Sequence, residues 1–140
     1  MSKNILFKNE DIFDNKHFNI GQDWETPIPA FFILRTKRNI HSIADLTNEE
    51  SLEFITILRK VRIGMKKILK IKNIYLFQNE DAKSGFHIWI FPRYDWMEEF
   101  GRKIQSVRPI MDYAEKNLVN ESMIKEVKDS VQKMQEFMNR

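Results

Sequence analysis

Residues 85–93, GFHIWIFPR, form a short apolar run that is interrupted by one histidine. Side chains alternate between the two faces of a β-strand. One face of this strand would consist of Phe86, Ile88 and Ile90. The other would carry His87, Trp89 and Phe91. We expect the first face to lie beneath a helix, as an ordinary core face does. On the second face, His87 is either a packing residue or a chemically active one, and the rest of the chain bears on that choice.

The composition is that of one domain of ordinary size. The chain has 140 residues, of which 42% are hydrophobic, enough for a normal core. Its 23 lysines and arginines and 20 acidic residues leave a net charge of +3, too small to indicate nucleic-acid binding. The absence of cysteine excludes disulfides and cysteine-rich zinc sites. The histidines His17, His41 and His87 show no metal-ligand spacing, so we predict neither a metal nor another cofactor.

The first residues, MSKNILFKNEDIF, lack the long apolar stretch of a signal peptide. The longest uncharged run near them, residues 26–34, is too short to span a bilayer. We therefore expect a cytoplasmic protein without a membrane segment.

A capping box opens the main helix. Thr47 can accept a hydrogen bond from the amide of Glu50, and the Glu50 carboxylate can reach back to the amide of residue 47. The apolar stripe of the helix that follows consists of Phe54, Leu58, Val61, Met65 and Ile68. Another face is basic and carries Arg59, Arg62, Lys66 and Lys70. We interpret this face as solvated, and contact with an acidic ligand or nucleic acid is the alternative.

Five segments have the composition of strands or extended arms. Residues 5–7 would form a short strand or an N-terminal arm, residues 16–24 an edge strand, and residues 31–34 a buried strand. Residues 73–79 and 86–91 would form a hairpin, because only a few residues separate them.

Two helices are predicted after Pro92. Ser106 would cap the first of them, and Asn120 would cap the second. The second helix has an apolar stripe that would pack against this domain or against a second copy of the chain. The order of strands, helix, strands and helices predicts an α+β fold with an antiparallel sheet.

The histidine strand resembles the signature of the histidine triad (HIT) superfamily, His-Φ-His-Φ-His-Φ-Φ, in which Φ is an apolar residue and Pro-Arg often follows. Residues 85–93 keep the middle histidine, His87, together with the apolar positions and the Pro-Arg pair. The outer two histidines are missing, because Gly85 stands at the first position and Trp89 at the third.

The resemblance extends to the segments before this strand. Residues 29–39, PAFFILRTKRN, are similar to the family's Pro-Gly-His-Φ-Φ-Φ-Φ-Pro-Lys-Arg-His segment, with Phe31 and Asn39 in place of histidines. Residues 43–50 resemble the leucine-threonine entry into the main helix of the family. Asn79-Glu80 resembles the pair that ends the strand before the signature, and the loop that follows, residues 81–84, is shorter and less glycine-rich than usual.

Membership of this superfamily implies a fold. It implies a five-stranded antiparallel sheet with the main helix on one face. We expect residues 1–140 to form a single HIT-like domain in which residues 106–140 are a helical C-terminal extension. The resemblance also implies a homodimer that pairs through the main helix and an adjacent strand. Like charges on the basic helix face would oppose such a pairing across a two-fold axis.

The resemblance also implies an activity. In the family, the middle histidine attacks the α-phosphorus of a nucleotide, and water then releases the nucleotide from a nucleotidyl-histidine. His87 would be that nucleophile, because neutral imidazole is reactive near neutral pH. The substrate would be a nucleoside polyphosphate, such as a diadenosine polyphosphate, or a nucleoside phosphoramidate. The alternative is a nucleotide-binding relative with little or no turnover, because both neighbouring histidines are missing.

Five further residues are candidates for nucleotide binding through the same resemblance. Asp23 would bond the ribose hydroxyls, and Trp24 beside it would line a base pocket. Asn79 would lie near the sugar or phosphate, and Ser84 carries the nearest hydroxyl for a phosphate. Trp89 offers one indole N–H, which neither accepts a proton nor titrates near neutral pH. The ordinary alternatives are a strand-end residue for Asp23 and a turn residue for Ser84.

Overall fold

The computed structural model describes residues 5–140, which contain five strands and three α-helices. The strands are β1 (Asp11–Asp14), β2 (Phe18–Gln22), β3 (Phe32–Thr36), β4 (Asn73–Phe77) and β5 (His87–Arg93). The helices are α1 (Asn48–Lys67), α2 (Val107–Asn117) and α3 (Glu121–Met138). Short 3-10 turns lie at Ile43–Asp45, Asp95–Phe100 and Ile104–Ser106. None of the helices in the described range has the length and apolarity needed to cross a bilayer.

All five strands form one antiparallel sheet in the order β1-β2-β3-β5-β4. The predicted α+β fold with a five-stranded antiparallel sheet is therefore confirmed. The hairpin prediction is also confirmed, because β4 pairs directly with β5.

One strand prediction needs correction at the other side of the sheet, and one open alternative is decided there. The segment predicted as an edge strand contains β2, which lies between β1 and β3, so that β1 takes the edge. Residues 5–7 form the arm and not the strand. The amides of Leu6 and Phe7 both donate to the carbonyl of Trp24, at 2.7 and 3.1 Å, and this shared acceptor is incompatible with a regular ladder.

Helix α1 begins with the predicted capping box. The amide of Glu50 donates to the Thr47 hydroxyl at 3.1 Å, and the Thr47 amide donates to the Glu50 carboxylate at 2.8 Å. The Arg38 guanidinium donates to both Glu50 oxygens, at 2.8 and 3.2 Å. The hydrogen bonds from Arg38, followed by that from the Thr47 backbone, lower the pKa of Glu50 to about 2. The helix start is thereby tied to the segment that follows β3.

The main core lies on one face of the sheet, beneath α1 and α3. As predicted, it includes the apolar face of β5, formed by Phe86, Ile88 and Ile90. Helix α3 lies beside α1, where Gly64 makes the close approach possible. A Cβ atom at Gly64 would lie 2.7 Å from a ring carbon of Phe137 and 2.8 Å from the terminal methyl of Met134. Asn120 caps α3 as predicted, because its side chain accepts from the Met123 amide at 2.8 Å.

Helix α2 covers the opposite face of the sheet. A second cluster there joins α2 to β3, β5 and the turn before them, with buried side chains Ile28, Phe31, Ile33, Phe91, Met97, Val107, Ile110, Met111 and Ala114. The segment that leads into α2 is held by Arg93, which donates to the Ser106 hydroxyl at 3.1 Å and to the Gly101 carbonyl at 2.7 Å. Ser106 does stand before α2, but its side chain makes no capping bond, because the hydroxyl donates to the carbonyl of Lys103.

Candidate functional site

His87 is the first residue of β5 and is half-buried on the face that α2 partly covers. Its Nδ1 atom lies 2.9 Å from the carbonyl oxygen of Gly85. A carbonyl can only accept, so in the neutral ring Nδ1 carries the proton and donates it to this bond. The lone pair of the ring then lies on Nε2. This tautomer is the one that leaves Nε2 free to act as a nucleophile or an acceptor.

The backbone conformation at Gly85 and Phe86 holds the histidine in this position. Gly85 has φ of +83°, a conformation that side chains disfavour. The next amide, of Phe86, donates to the carbonyl of Ile40 at 2.7 Å. A Cβ atom at Gly85 would lie 3.3 Å from both the Asn39 side-chain oxygen and the Ile40 carbonyl oxygen. The position of the first signature histidine is therefore occupied by closely packed backbone.

Four positions of this chain correspond to the other histidines of the family pattern. In the structure they form two contacting pairs. Gly85 lies against Asn39, as described above. Trp89 and Phe31 form the second pair, with ring centroids 5.5 Å apart and planes at 74°. Trp89 also meets Phe77 edge-on at 6.4 Å. Edge-to-face pairs of this kind are favourable packing, so each substitution has a partner that fits it.

A cavity of about 420 Å³ opens beside His87, between the β4–β5 hairpin and the beginning of α2. This volume is within the range of small-molecule sites, roughly 300–1,000 Å³. Its lining consists of Leu76, Phe77, Gln78, Asn79, His87, Trp89, Ile104, Val107 and Arg108. Aromatic and aliphatic side chains thus surround a small number of polar groups, as in a pocket for a ligand that is partly apolar.

The polar part of the cavity favours an anion. Arg108 lies in the first turn of α2, and its nearest carboxylate, of Asp112, is 3.9 Å away on the exposed side of the helix. The amino end of a helix carries partial positive charge, which attracts negative groups. Asn79 adds a side-chain amide that can donate hydrogen bonds.

The structure brings together three of the predicted site residues, since His87, Asn79 and Trp89 all line the cavity. Ser84 is exposed in the preceding loop and is not part of the lining. Asp23 and Trp24 also lie outside the lining. One carboxylate oxygen of Asp23 accepts from the backbone amides of residues 25 and 26, at 3.3 and 3.1 Å, so it holds a turn.

A cationic residue that the sequence reasoning missed lies on the same sheet face. Arg35 of β3 pairs directly with His87 of β5. Its guanidinium lies 5.9 Å from the ring centre of Trp24, and the Lys8 ammonium lies 5.7 Å from the same ring. Burial lowers the pKa of Arg35, and the negative charges of Asp23 and Asp11 oppose that shift. In the sequence, Arg35 is the charged residue that ends the run FFILR. With the two-residue alternation of a strand, it shares a face with Phe31 and not with the residues of the main core.

Metal binding finds no support in residues 5–140, where no three histidine or acidic side chains come together. The two other histidines are not part of the cavity lining. His17 contacts Glu53 of α1 through Nδ1 at 2.8 Å. The chemistry available at the site is therefore that of one imidazole with nearby arginines and hydrogen-bond donors.

Comparison with solved structures identifies the fold. The chain superposes on the NitFhit protein of C. elegans with a TM-score of 0.57 and 18% identity, over 88% of its own length and 27% of the nematode protein. It superposes on a Hit-like protein involved in cell-cycle regulation from Bartonella henselae with a TM-score of 0.57 and 14% identity, over 91% and 84% of the two chains. A hypothetical histidine triad nucleotide-binding protein from Sulfolobus tokodaii gives 0.55 and 13%, over 88% and 83%.

The chain has the fold of the histidine triad proteins. The fold that the resemblance in residues 29–39 and 85–93 implies is thus confirmed by the three-dimensional structure. The chain spans about a quarter of the nematode protein and most of the two prokaryotic ones. No protein-family model and no curated protein sequence matches the chain.

Proposed function

We propose that this protein is a histidine triad hydrolase or transferase that acts on the α-phosphate of a nucleoside polyphosphate, such as a diadenosine polyphosphate, or of a nucleoside phosphoramidate. The observation that carries the proposal is the hydrogen bond from His87 Nδ1 to the Gly85 carbonyl, because it assigns the free lone pair to Nε2. The cavity that His87 lines has the size and the mixed lining of a nucleotide site.

The proposed reaction has two displacement steps. In the first, the Nε2 lone pair forms a bond to the α-phosphorus while the bond from phosphorus to the bridging oxygen or nitrogen breaks. The bonding electrons depart with the leaving group, which takes a proton from solvent. In the second step a water oxygen attacks the phosphorus, the P–N bond breaks and its electrons return to Nε2. The water gives up its protons to solvent, and in a transferase another hydroxyl takes the place of water.

The Gly85 carbonyl supports the first step. As Nε2 bonds to phosphorus, positive charge develops on the imidazole ring, and the Nδ1–H donor becomes stronger. A carbonyl oxygen that already accepts this hydrogen bond stabilises the charged ring without any rearrangement. Arg108 and the amino end of α2 would offset the negative charge of the phosphate oxygens.

One observation favours the second candidate, a nucleotide-binding protein with little turnover. Apart from His87, the cavity lining contains no histidine and no acidic side chain. General acid–base help from a neighbour contributes about 10²–10⁴-fold to a rate, so its absence predicts a slow enzyme. We place the hydrolase or transferase first, because a purely binding site has no need of a free Nε2.

Covalent trapping would test the proposal. The protein would be mixed with adenosine 5′-phosphoramidate or a diadenosine polyphosphate, quenched in alkali, which preserves the P–N bond, and weighed by intact-mass spectrometry. We expect an added nucleotidyl group on the wild-type protein and on His41→Ala, whose histidine is exposed and does not line the cavity. The His87→Ala protein should show neither the adduct nor hydrolysis. Hydrolysis at the wild-type rate in His87→Ala would overturn the proposal.

A further inference from the structure

We propose that Arg35 binds the phosphoryl group that is presented to His87. This inference rests on the function proposed above and adds to it a residue that the family resemblance does not supply, because the resembling pattern has an apolar residue at this position. Arg35 would provide part of the positive charge that the two missing outer histidines do not provide.

The sheet register places Arg35 next to His87. The two residues are direct partners in the β3–β5 ladder. The Thr36 amide donates to the Phe86 carbonyl at 3.4 Å, as at a hydrogen-bonded position of the ladder, although the Phe86 amide donates to Ile40 instead. Because the two kinds of pair alternate along an antiparallel ladder, Arg35 and His87 form a non-hydrogen-bonded pair, in which the Cα atoms are only about 4.5 Å apart. Their side chains emerge from the same face at the closest spacing that a sheet offers.

The Arg35 guanidinium is charged and only loosely compensated. Among residues 5–140 it has no hydrogen-bond or ion-pair partner, although it is half-buried. Asp23 and Asp11 act on it through space, but Asp23 already accepts from two backbone amides of its own turn. Arg38, by contrast, has an acidic partner, because its guanidinium donates to both carboxylate oxygens of Glu50 at 2.8 and 3.2 Å. An arginine with five unused donors beside a nucleophile is suited to an anionic ligand.

The surroundings of Arg35 fit a phosphate more closely than a carboxylate. The Trp24 ring, 39% exposed, lies near both cations, with its centre 5.9 Å from the Arg35 guanidinium and 5.7 Å from the Lys8 ammonium. Two cations and an aromatic surface therefore lie together on one side of His87, and the cavity with Arg108 lies on the other. A group of high negative charge, with several oxygens to bind, can use the planar fork of Arg35, and the strand register places His87 directly opposite on the neighbouring strand.

The experiment uses inorganic phosphate as the first probe, with nuclear magnetic resonance of the 15N-labelled full chain at constant ionic strength. We expect phosphate to shift the signals of His87 and of the Trp24 indole saturably, and to leave Trp96 unchanged. Arg35→Gln should weaken this binding by about 10- to 100-fold, the range for hydrogen bonds to a charged group. Arg35→Lys should retain part of it. Arg59→Gln, which removes an exposed charge on α1, should bind like the wild type.

A second arm compares a nucleoside monophosphate with the nucleoside. Arg35→Gln should lose affinity for the monophosphate and keep its affinity for the nucleoside, which a general structural defect would not do. Thermal unfolding would confirm that each variant is folded, and Arg35→Lys preserves the test if Arg35→Gln is unstable. The inference would be overturned if Arg35→Gln bound inorganic phosphate and the nucleoside monophosphate as tightly as the wild type does. It would also be overturned if phosphate shifted no signals of the wild-type protein.

The two proposals fail in different ways. If phosphate binding depends on Arg35 but His87→Ala has no effect on any turnover, Arg35 is a phosphate-binding residue and the hydrolase proposal falls. If His87-dependent turnover is present and Arg35→Gln changes neither the turnover nor phosphate binding, the hydrolase proposal stands and the role of Arg35 is refuted.

Discussion

The Nδ1 atom of His87 lies 2.9 Å from the carbonyl oxygen of Gly85, two residues earlier in the chain. This contact assigns the tautomer of the neutral ring. The positive φ of Gly85 turns its carbonyl towards the imidazole ring of His87 at the start of β5. The reactivity proposed for the histidine therefore depends on the conformation of a glycine.

The first prediction concerns this tautomer. In the neutral ring of His87, Nδ1 should carry the proton and Nε2 should not, because the carbonyl can only accept. Two-bond 1H–15N correlation spectra of the imidazole distinguish the two nitrogens directly. A neutral ring protonated at Nε2 would contradict the structure and remove the main support for the nucleophile.

The second prediction concerns the missing third histidine. Trp89→His should raise hydrolysis by about 10- to 100-fold if the loss of acid–base help limits the rate. The variant should also be less stable by about 1–3 kcal/mol, because Trp89 packs edge-on with Phe31 and Phe77. Steady-state rates and urea unfolding would measure both effects. Trp89→Phe is the matched control, which should keep the packing and gain no rate.

The corresponding change at the first position should behave differently. Gly85→His should not raise the rate, because φ of +83° and the 3.3 Å approach to Asn39 and Ile40 strain any side chain there. A gain in rate from this variant would mean that the backbone at Gly85 adapts easily.

The third prediction concerns Asp23. Because its carboxylate accepts from two backbone amides, Asp23→Ala should lower the free energy of unfolding by about 0.5–2 kcal/mol, as the loss of a cap does. Asp23→Asn keeps an acceptor oxygen and should be nearly as stable as the wild type. The ribose role of Asp23 stays a prediction. It would be supported if both variants bound a nucleotide more than tenfold more weakly while Asp23→Asn stayed fully stable.

The fourth prediction concerns acid stability. The folded pKa of Glu50, about 2, lies below its ordinary value of 4.5. Its contribution to stability is therefore fully present above about pH 4.5 and is lost as the pH falls towards 2. Glu50→Gln should be less stable than the wild type at pH 7, and the difference should narrow across that window in urea unfolding. Glu49→Gln, an exposed neighbour in the same helical turn, should show no such narrowing.

The fifth prediction concerns the homodimer that the resemblance implies. Strand β4 is an edge of the sheet, and exposed apolar side chains lie on it and on α1, namely Leu76, Leu52 and Ile55. Within the basic face of α1, Arg62 is held against its own subunit, because it donates to the backbone carbonyls of residues 71 and 72 at 3.1 and 2.7 Å. An exposed edge strand presents unpaired backbone groups that can pair with a strand of a second chain.

Sedimentation at micromolar concentration should therefore give a dimer. The double variant Leu52→Glu and Ile55→Glu should sediment as a monomer. Val119→Glu changes an exposed apolar residue between α2 and α3 and should leave the dimer intact. A monomeric wild-type protein would refute this prediction.

The sequence by itself determined the features that depend on near neighbours. The capping box of Thr47 and Glu50 and the Asn120 cap join residues three apart, so their pattern is visible in the chain. The alternation of β5 predicted that Ile88 is a core residue and that His87 faces away from α1. Together with the family-like pattern of residues 29–39, these local signals were enough to predict the fold.

Only the tertiary structure decided the composition of the site. Arg35 lies beside His87 because β3 and β5 pair in one particular register, and a slip by one residue would turn Arg35 to the other face. The cavity exists because the beginning of α2, with Arg108, packs near the β4–β5 hairpin, and Arg93 holds the segment that leads there. Such contacts join residues far apart in the chain, where no local spacing records them. Strand register and helix packing follow instead from the burial of the whole core.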